Sequence, residues 1–360
     1  MATITRGMMG RSGRITRVDN LTHSLLALTL ANAGLRRAGR GATAALLIGS
    51  NIPDIEIVTA LTGGRVGYLA AHRGPTHGLL GLILGLATGA IVWLVLRARG
   101  RSESSASLAS LVGVATIGVV GHIAMDFATS YGTRILSPFR NTWYGVDWMP
   151  IIDIYLWVVL AACLVAGLAR PALRARLAIV ALLLTGGDYA LRAGAHAAAL
   201  GQTMALEAQA GVAHEARGGG VFRYLNSDPP AALPAALPTW FSPFRWRVIM
   251  RVPGGFEVRE INLLRQGHDA DAVAFPDESG ATVERAATAP LARVFLDFAR
   301  FPAAETIKHH DGGVTVHWYD LRFAERPTDG ADGRHHTSPF AVWVRLSPTG
   351  AIVGQGLGPG

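Results

Sequence analysis

Apolar residues in the first half of the chain fall into uncharged runs broken by short basic turns. Their order predicts helices over 20–35, 42–52, 78–97, 105–128, 151–169 and 175–197. Leu79 to Leu96 is a clean uncharged span, close to the ~20 apolar residues a helix needs to cross a bilayer. The first two runs are short and read as a hairpin that crosses only in part. Pro53 ends the second, because the residue before a proline is pushed out of the helical region, so Asp54 and Glu56 belong to a turn. Beyond about Gln202 the pattern changes. Residues 202–245 are rich in Ala, Gly and Pro and read as a linker with a short helix around Met204 to Ala216. Strand-like runs follow at Arg245–Arg251, Phe256–Leu264, Ala292–Phe298, Val314–Phe323 and Phe340–Leu346. The expected architecture is α+β: a polytopic transmembrane bundle of five to six helices over 19–200, a linker over 201–244, and a small, mainly antiparallel β domain over 245–360. Residues 1–18 read as a disordered tail or a misassigned start.

Composition supports this division. Half of the residues are hydrophobic and 16% are charged, which argues against an ordinary soluble globule. The net charge of +8 would suit a nucleic-acid binder, but the arginines cluster between apolar runs as membrane topology signals do, so no nucleic acid is expected as a partner. The single cysteine, Cys163, lies inside an apolar run and rules out a disulfide framework or a cysteine metal cluster. Arg6, Arg11, Arg14 and Arg17 ahead of an apolar run and Ala31-Asn32-Ala33 imitate a secretory signal; Asn20, Thr22 and His23 at the start of that run argue that the segment stays. There is no internal repeat, phosphate-binding glycine loop or nucleophile elbow.

With successive helices antiparallel, the loops sort to two faces. One carries Arg36, Arg37 and Arg40, then Arg97, Arg99 and Arg101, then Arg170, Arg174 and Arg176, and is cytoplasmic by the positive-inside tendency. The other collects His23, Asn51, Asp54, Glu56, His72, Arg73, His77, His122, Asp126, Asp147 and Asp153. The arginine-rich tail conflicts with this topology, unless the natural start is near Val18 or the first helix lies on the surface.

Single positions support either a bland or a functional reading. The loop Ala71 to Gly78 is equally a polar connection or half of a metal site. His122 and Asp126, four apart, share one helix face, where such pairs often only hydrogen-bond. Asp147 and Asp153 suit helix caps, Asn51 a turn, Asp188 and Arg192 an intramembrane pair, and Trp143, Trp148 and Trp157 interfacial anchors. Convergence on one face favours a metal centre. Imidazoles with carboxylates suit zinc and also manganese or iron, with ligands enough for one to three ions. Such a centre activates water for hydrolysis, and Arg73, Arg134 or Arg140 would grip an anionic group.

Asp19-Asn-Leu-Thr-His23-Ser, Ser50-Asn-Ile-Pro-Asp54-Ile-Glu56, His72-Arg-Gly-Pro-Thr-His77, His122-Ile-Ala-Met-Asp126 and Tyr131-Gly-Thr-Arg-Ile-Leu-Ser-Pro-Phe139 resemble, in order, the LexA-regulated inner-membrane metal-dependent hydrolase family. The family in turn looks distantly similar to the zinc-dependent phospholipase C and single-strand nuclease superfamily. The resemblance implies metal ligands at His23, Asp54, His72, His77, His122 and Asp126. The expected catalytic residues are Asp54, Glu56, Arg73 and Asp147. The chain departs from the family at Glu56, commonly Asp, and at Gly78, often Ser; the family's usual opening also supports Val18 as the start. The expected function is hydrolysis of a phosphoester or lipid-like ester, a phospholipid among them, near the outer face of a bacterial inner membrane. The protein would be multi-pass in the lipid bilayer, with a periplasmic C-terminal domain. The competing expectation is a non-catalytic metal-binding or envelope-organising membrane protein.

Overall fold

The computed structural model of the chain describes residues 9–100, 106–209, 222–223, 234–265, 272–324, 338 and 340–358. The membrane half comprises α1 (Met9–Ala33), α2 (Ala42–Gly49), α3 (Thr59–Ala71), α4 (Leu79–Ala98), α5 (Leu108–Phe127), α6 (Ile154–Ala169) and α7 (Arg174–Gln209), with short 3-10 turns at Ile52–Val58 and Pro75–His77. Among the described residues three helical stretches are long and apolar enough to cross a membrane: Leu79–Ala98, Leu108–Phe127 and Pro171–Leu206. A fourth crossing is possible where Ala42–Gly49 and Ile52–Ala71 meet at a 49° bend, and α6 is a shorter apolar helix.

Three boundaries differ from the sequence expectation. The first helix already runs from Met9, so much of the stretch read as a tail is helical; residues 1–8 lie outside the described residues. The second stops at Gly49, and the chain then turns helical again as α3, which the mixture of Gly, Thr and Arg had concealed. The seventh runs on to Gln209; the rest of the helix expected up to Ala216 and much of the linker lie outside the described residues.

Close helix approach locates the polar groups. A β-carbon on Gly49 would sit 2.3 Å from the Ala115 carbonyl oxygen, and one on Gly118 2.7 Å from that of Leu46, so α2 and α5 touch backbone to backbone. That contact brings the carbonyl at the end of α2 onto a histidine of α5. The buried Ala42, Ala45, Leu46, Leu111, Val114 and Ala115 fill the seam on the arginine-rich side.

The β domain holds two four-stranded antiparallel meanders: β3 (Ala235–Pro238), β4 (Arg245–Val252), β5 (Gly255–Asn262) and β6 (Val273–Pro276), then β7 (Pro302–Lys308), β8 (Val314–Asp320), β9 (Ala341–Leu346) and β10 (Ile352–Leu357). Among the described residues a short antiparallel pair, β1 (Tyr144–Gly145) and β2 (Phe222–Arg223), stands apart from the meanders. Between the meanders lie α8 (Ala281–Ala287) and α9 (Pro290–Phe298). The expected strand over Ala292–Phe298 is therefore a helix. Pro290 occupies its first turn, and Ala292, Phe295 and Phe298 recur every three residues as its buried side, which is a helical rather than an alternating period.

The β domain packs on the end of the bundle that carries the histidines. Phe298 and Leu69 join Tyr131 and Trp143 in one core, and Arg134 lies 4.5 Å over the Trp143 ring. Trp143 is thus a buried junction residue, not an interfacial anchor. Arg134 also pairs with Asp297 at 3.2 Å. Burial pushes the Asp297 carboxyl up from its ordinary range, and Arg134 opposes that.

Candidate metal centre

Four side chains from three segments converge: Asp54 from the turn after α2, His77 from the turn before α4, and His122 and Asp126 from the last turns of α5. Pro53 and Pro75 each open one of the two turns, so the chain leaves helical geometry where it delivers a ligand. One ligand atom from each of the four lies within 4.8 Å of all the others. His77, His122 and Asp126 are buried, while the Asp54 side chain is 22% exposed and forms the open edge.

The separations match a single ion. Donors held about 2.0–2.2 Å from a tetrahedral cation stand roughly 3.3–3.6 Å from one another. Here His77 Nε2 is 3.1 Å from both His122 Nε2 and Asp126 Oδ2, and 3.7 Å from Asp54 Oδ1. His122 Nε2 is 3.6 Å from Asp54 Oδ1 and 3.5 Å from Asp126 Oδ2.

The tautomers reinforce this fit. His122 Nδ1 lies 2.8 Å from the Ser50 carbonyl oxygen, which can only accept, so Nδ1 carries the hydrogen and Nε2 of the neutral ring offers its lone pair. His77 Nδ1 faces Glu56 Oε2 at 3.5 Å and Thr76 Oγ1 at 3.3 Å, and the Thr76 hydroxyl is itself committed to Glu56 at 2.9 Å. That environment likewise favours Nδ1–H on His77. With both rings neutral, two imidazole lone pairs then meet at 3.1 Å beside two carboxylates, a repulsion that a bound metal cation or a ring proton relieves. Charge points the same way. Asp54, Glu56 and Asp126 face one buried arginine, Arg73, so with neutral rings the pocket holds an excess of two negative charges, the charge a divalent cation cancels.

The other expected residues surround these four. The His23 ring, from the middle of α1, stacks on His122 with centroids 3.7 Å apart, and its Nε2 is 3.5 Å from Asp126 Oδ1. His72 Nδ1 bonds Glu56 Oε1 at 2.8 Å, its ring lying between Tyr68 and Tyr131. Glu56 also accepts from the Arg73 backbone N–H at 2.8 Å, so this carboxylate organises the loop. The expectation that Arg73 grips substrate is corrected: it is buried and donates to Asp126 Oδ1 at 3.0 Å and Thr129 Oγ1 at 2.9 Å. Its positive φ of 47° shows how far the backbone bends to aim it inward.

Asp147 is corrected as well. Its carboxylate pairs with Arg300 of the β domain at 2.6 Å, which makes it a junction residue. Asp153 caps α6 through the Leu156 N–H at 2.9 Å and pairs with Arg192 at 2.5 Å, while Asp188 lies 3.3 Å from the same guanidinium. Asn51 ties its turn to Ser24 Oγ at 3.1 Å. Sequence reading passed over Thr76, Thr129 and Tyr131; Thr76 stood inside the histidine loop, and Thr129 follows Asp126 by three residues.

Residues 18–194 match the family model described as YdjM inner membrane protein, a match that takes in all four converging side chains. It agrees with the inner-membrane family that the motifs resemble. Over 115 residues the chain is 28% identical to the uncharacterized protein YfhP of Bacillus subtilis (strain 168), covering 32% of this chain and 33% of that protein. The match thus spans about a third of the relative's length. No solved structure matches.

Proposed function

We propose that the chain is an inner-membrane protein of the YdjM family that works as a metal-dependent hydrolase, with Asp54, His77, His122 and Asp126 as the metal ligands. The observation that carries this reading is the meeting of two imidazole lone pairs and two carboxylates at tetrahedral spacing beside a solvent-reachable edge. A divalent cation held there supplies Lewis acidity, acidifying water and neutralising charge on a phosphoryl or carbonyl oxygen. Zinc suits the mixed nitrogen and oxygen donors best.

The remaining residues divide the work. Arg73 holds Asp126 in place and offsets its charge. Glu56 fixes His72 as the Nδ1–H tautomer, so that His72 Nε2 is the proton acceptor for an attacking water, the arrangement by which a carboxylate orients a histidine base. The His72 side chain is 13% exposed, and through Glu56 it is tied to the loop that carries Asp54. Exposed Ile55, Ile57, Val58 and Leu61 follow Asp54 along the chain, an apolar lip that favours lipid-like esters or phosphoesters. In this reading the turns bearing Arg36–Arg40, Arg97–Arg101 and Arg170–Arg176 lie on the cytoplasmic side, and the metal centre and β domain on the periplasmic side.

The test uses the full chain reconstituted in phosphatidylethanolamine and phosphatidylglycerol vesicles with zinc or manganese, and bis(p-nitrophenyl) phosphate as a second probe. Wild type is expected to cleave at least one probe, and His72→Gln to lose about 10²–10⁴-fold in rate while keeping its metal. Metal-replete wild type that cleaves neither would establish the competing reading, a metal-binding protein without turnover.

A further inference from the structure

Outside the metal centre, an apolar tip on the β domain stands out. Trp240 and Phe241 are 49% and 73% exposed at the turn between β3 and β4, and Leu264, just after β5, is 70% exposed. The two turns are adjacent, since the Leu263 N–H donates to the Phe244 carbonyl oxygen at 2.9 Å. Large apolar side chains grouped in this way on a folded surface mark something they dock on.

The position of the tip indicates what covers it. The Tyr155 hydroxyl, at the second residue of α6, donates to the Phe241 carbonyl oxygen at 2.9 Å. The tip therefore touches a short apolar helix whose side chains Val158, Val165 and Leu168 are exposed, as those of a helix set against lipid would be. Arg170 marks the far end of α6, and from there the helix rises about 1.5 Å per residue, so Tyr155 stands roughly 22 Å above it, in the outer third of a ~30 Å hydrocarbon core. Aromatic residues with one apolar and one polar edge concentrate at that level. Exposed Arg245 and Arg265 flank the tip, as basic residues do beside anionic headgroups. The long helix α7 fits the same placement: the β domain packs against it at Ala195 and Ala199, about 30 Å or more beyond its Arg174 end.

We propose that the turn bearing Trp240 and Phe241, with Leu264, inserts into the headgroup region of the bilayer leaflet on the metal-centre side, making the β domain a lipid-surface-binding module. The aromatic tip thus lies beside the exposed apolar surface of α6, joined to it through Tyr155. This inference goes beyond the hydrolase reading and does not depend on it.

Spin labels on the full chain test it. In a Cys163→Ser background, Phe241→Cys, Val158→Cys and Thr349→Cys proteins are labelled and reconstituted in phosphatidylethanolamine and phosphatidylglycerol vesicles. Accessibility to oxygen is then compared with accessibility to a water-soluble nickel chelate. The label at Phe241 is expected to favour oxygen, as the one at Val158 does, while the label at Thr349 favours nickel. A nickel-dominated Phe241 label would overturn the proposal. So would dipolar broadening between Phe241 labels, which would make a second copy of the chain the occupant. A water-like label at Val158 would instead remove the lipid assignment of α6, and the proposal with it.

Discussion

His122→Ala protein is expected to bind divalent metal at least about 100-fold more weakly than wild type. Disturbing even the groups that orient a ligand costs 10–100-fold, and here a ligand itself is removed. The ring supplies one of four converging atoms and is fixed by the Ser50 carbonyl at 2.8 Å. His77→Ala should behave alike. His72→Ala should keep its metal, because that ring is tied to Glu56 outside the four-atom group. Metal analysis after competition with a graded chelator measures this directly. Stability should follow, since a ligand that binds only the folded state adds about 2.7 kcal/mol at 100 times its Kd. Zinc should therefore raise the thermal midpoint of wild type and of His72→Ala while leaving His122→Ala unmoved. Equal metal content in all of these proteins would remove the proposed centre.

Arg322→Met is expected to cost about 3–5 kcal/mol, the usual penalty for breaking a buried ion pair from one side. Arg322 is buried at the junction of the β domain with the membrane half. Its guanidinium holds Asp320 at 2.6 Å, the Phe298 carbonyl at 2.9 Å, and the Ser130 and Tyr131 carbonyls at 3.0 and 3.3 Å. It also lies 4.7 Å over Phe298 and 5.6 Å over Tyr131. Removing it strands a fully buried carboxylate and three carbonyls. The loop it grips runs on to Gly132, whose carbonyl accepts from Arg73 at 3.5 Å, so the damage should reach the metal centre as a looser Arg73. Hydrogen exchange should speed up at 130–133 and near 298, and the β domain should become the first site of limited proteolysis. Adding Asp320→Leu should restore part of the loss, because an apolar pair leaves no stranded charge. Exchange at the wild-type rate would show that the junction is held elsewhere.

How much of this could be read in the sequence varied with the range of the cause. α4 was legible because its apolar run is uninterrupted and α5 because its run is uncharged as far as Gly121, and the ligands were legible because each stands beside a helix end or a proline that fixes its local geometry. Asp54, His77, His122 and Asp126 do meet, as antiparallel packing required. α3 was missed because Gly63, Gly64 and Arg65 break its apolar pattern, and α9 was read as a strand because Val294, Phe295 and Phe298 are equally at home in strands. Partners distant in sequence were not legible at all. Nothing near Asp147 announces Arg300, and nothing in the histidine loop says that Arg73 turns inward to Asp126 rather than outward to substrate. Those pairings depend on where the β domain lands, which only tertiary structure fixes.

The central claim is tested most directly by diffraction from zinc-soaked crystals of the full chain at the zinc absorption edge. An anomalous peak is expected about 2.0–2.2 Å from His77 Nε2, His122 Nε2 and a carboxylate oxygen each of Asp54 and Asp126. A peak elsewhere, or none among these side chains in crystals that hold zinc at other positions, would contradict it.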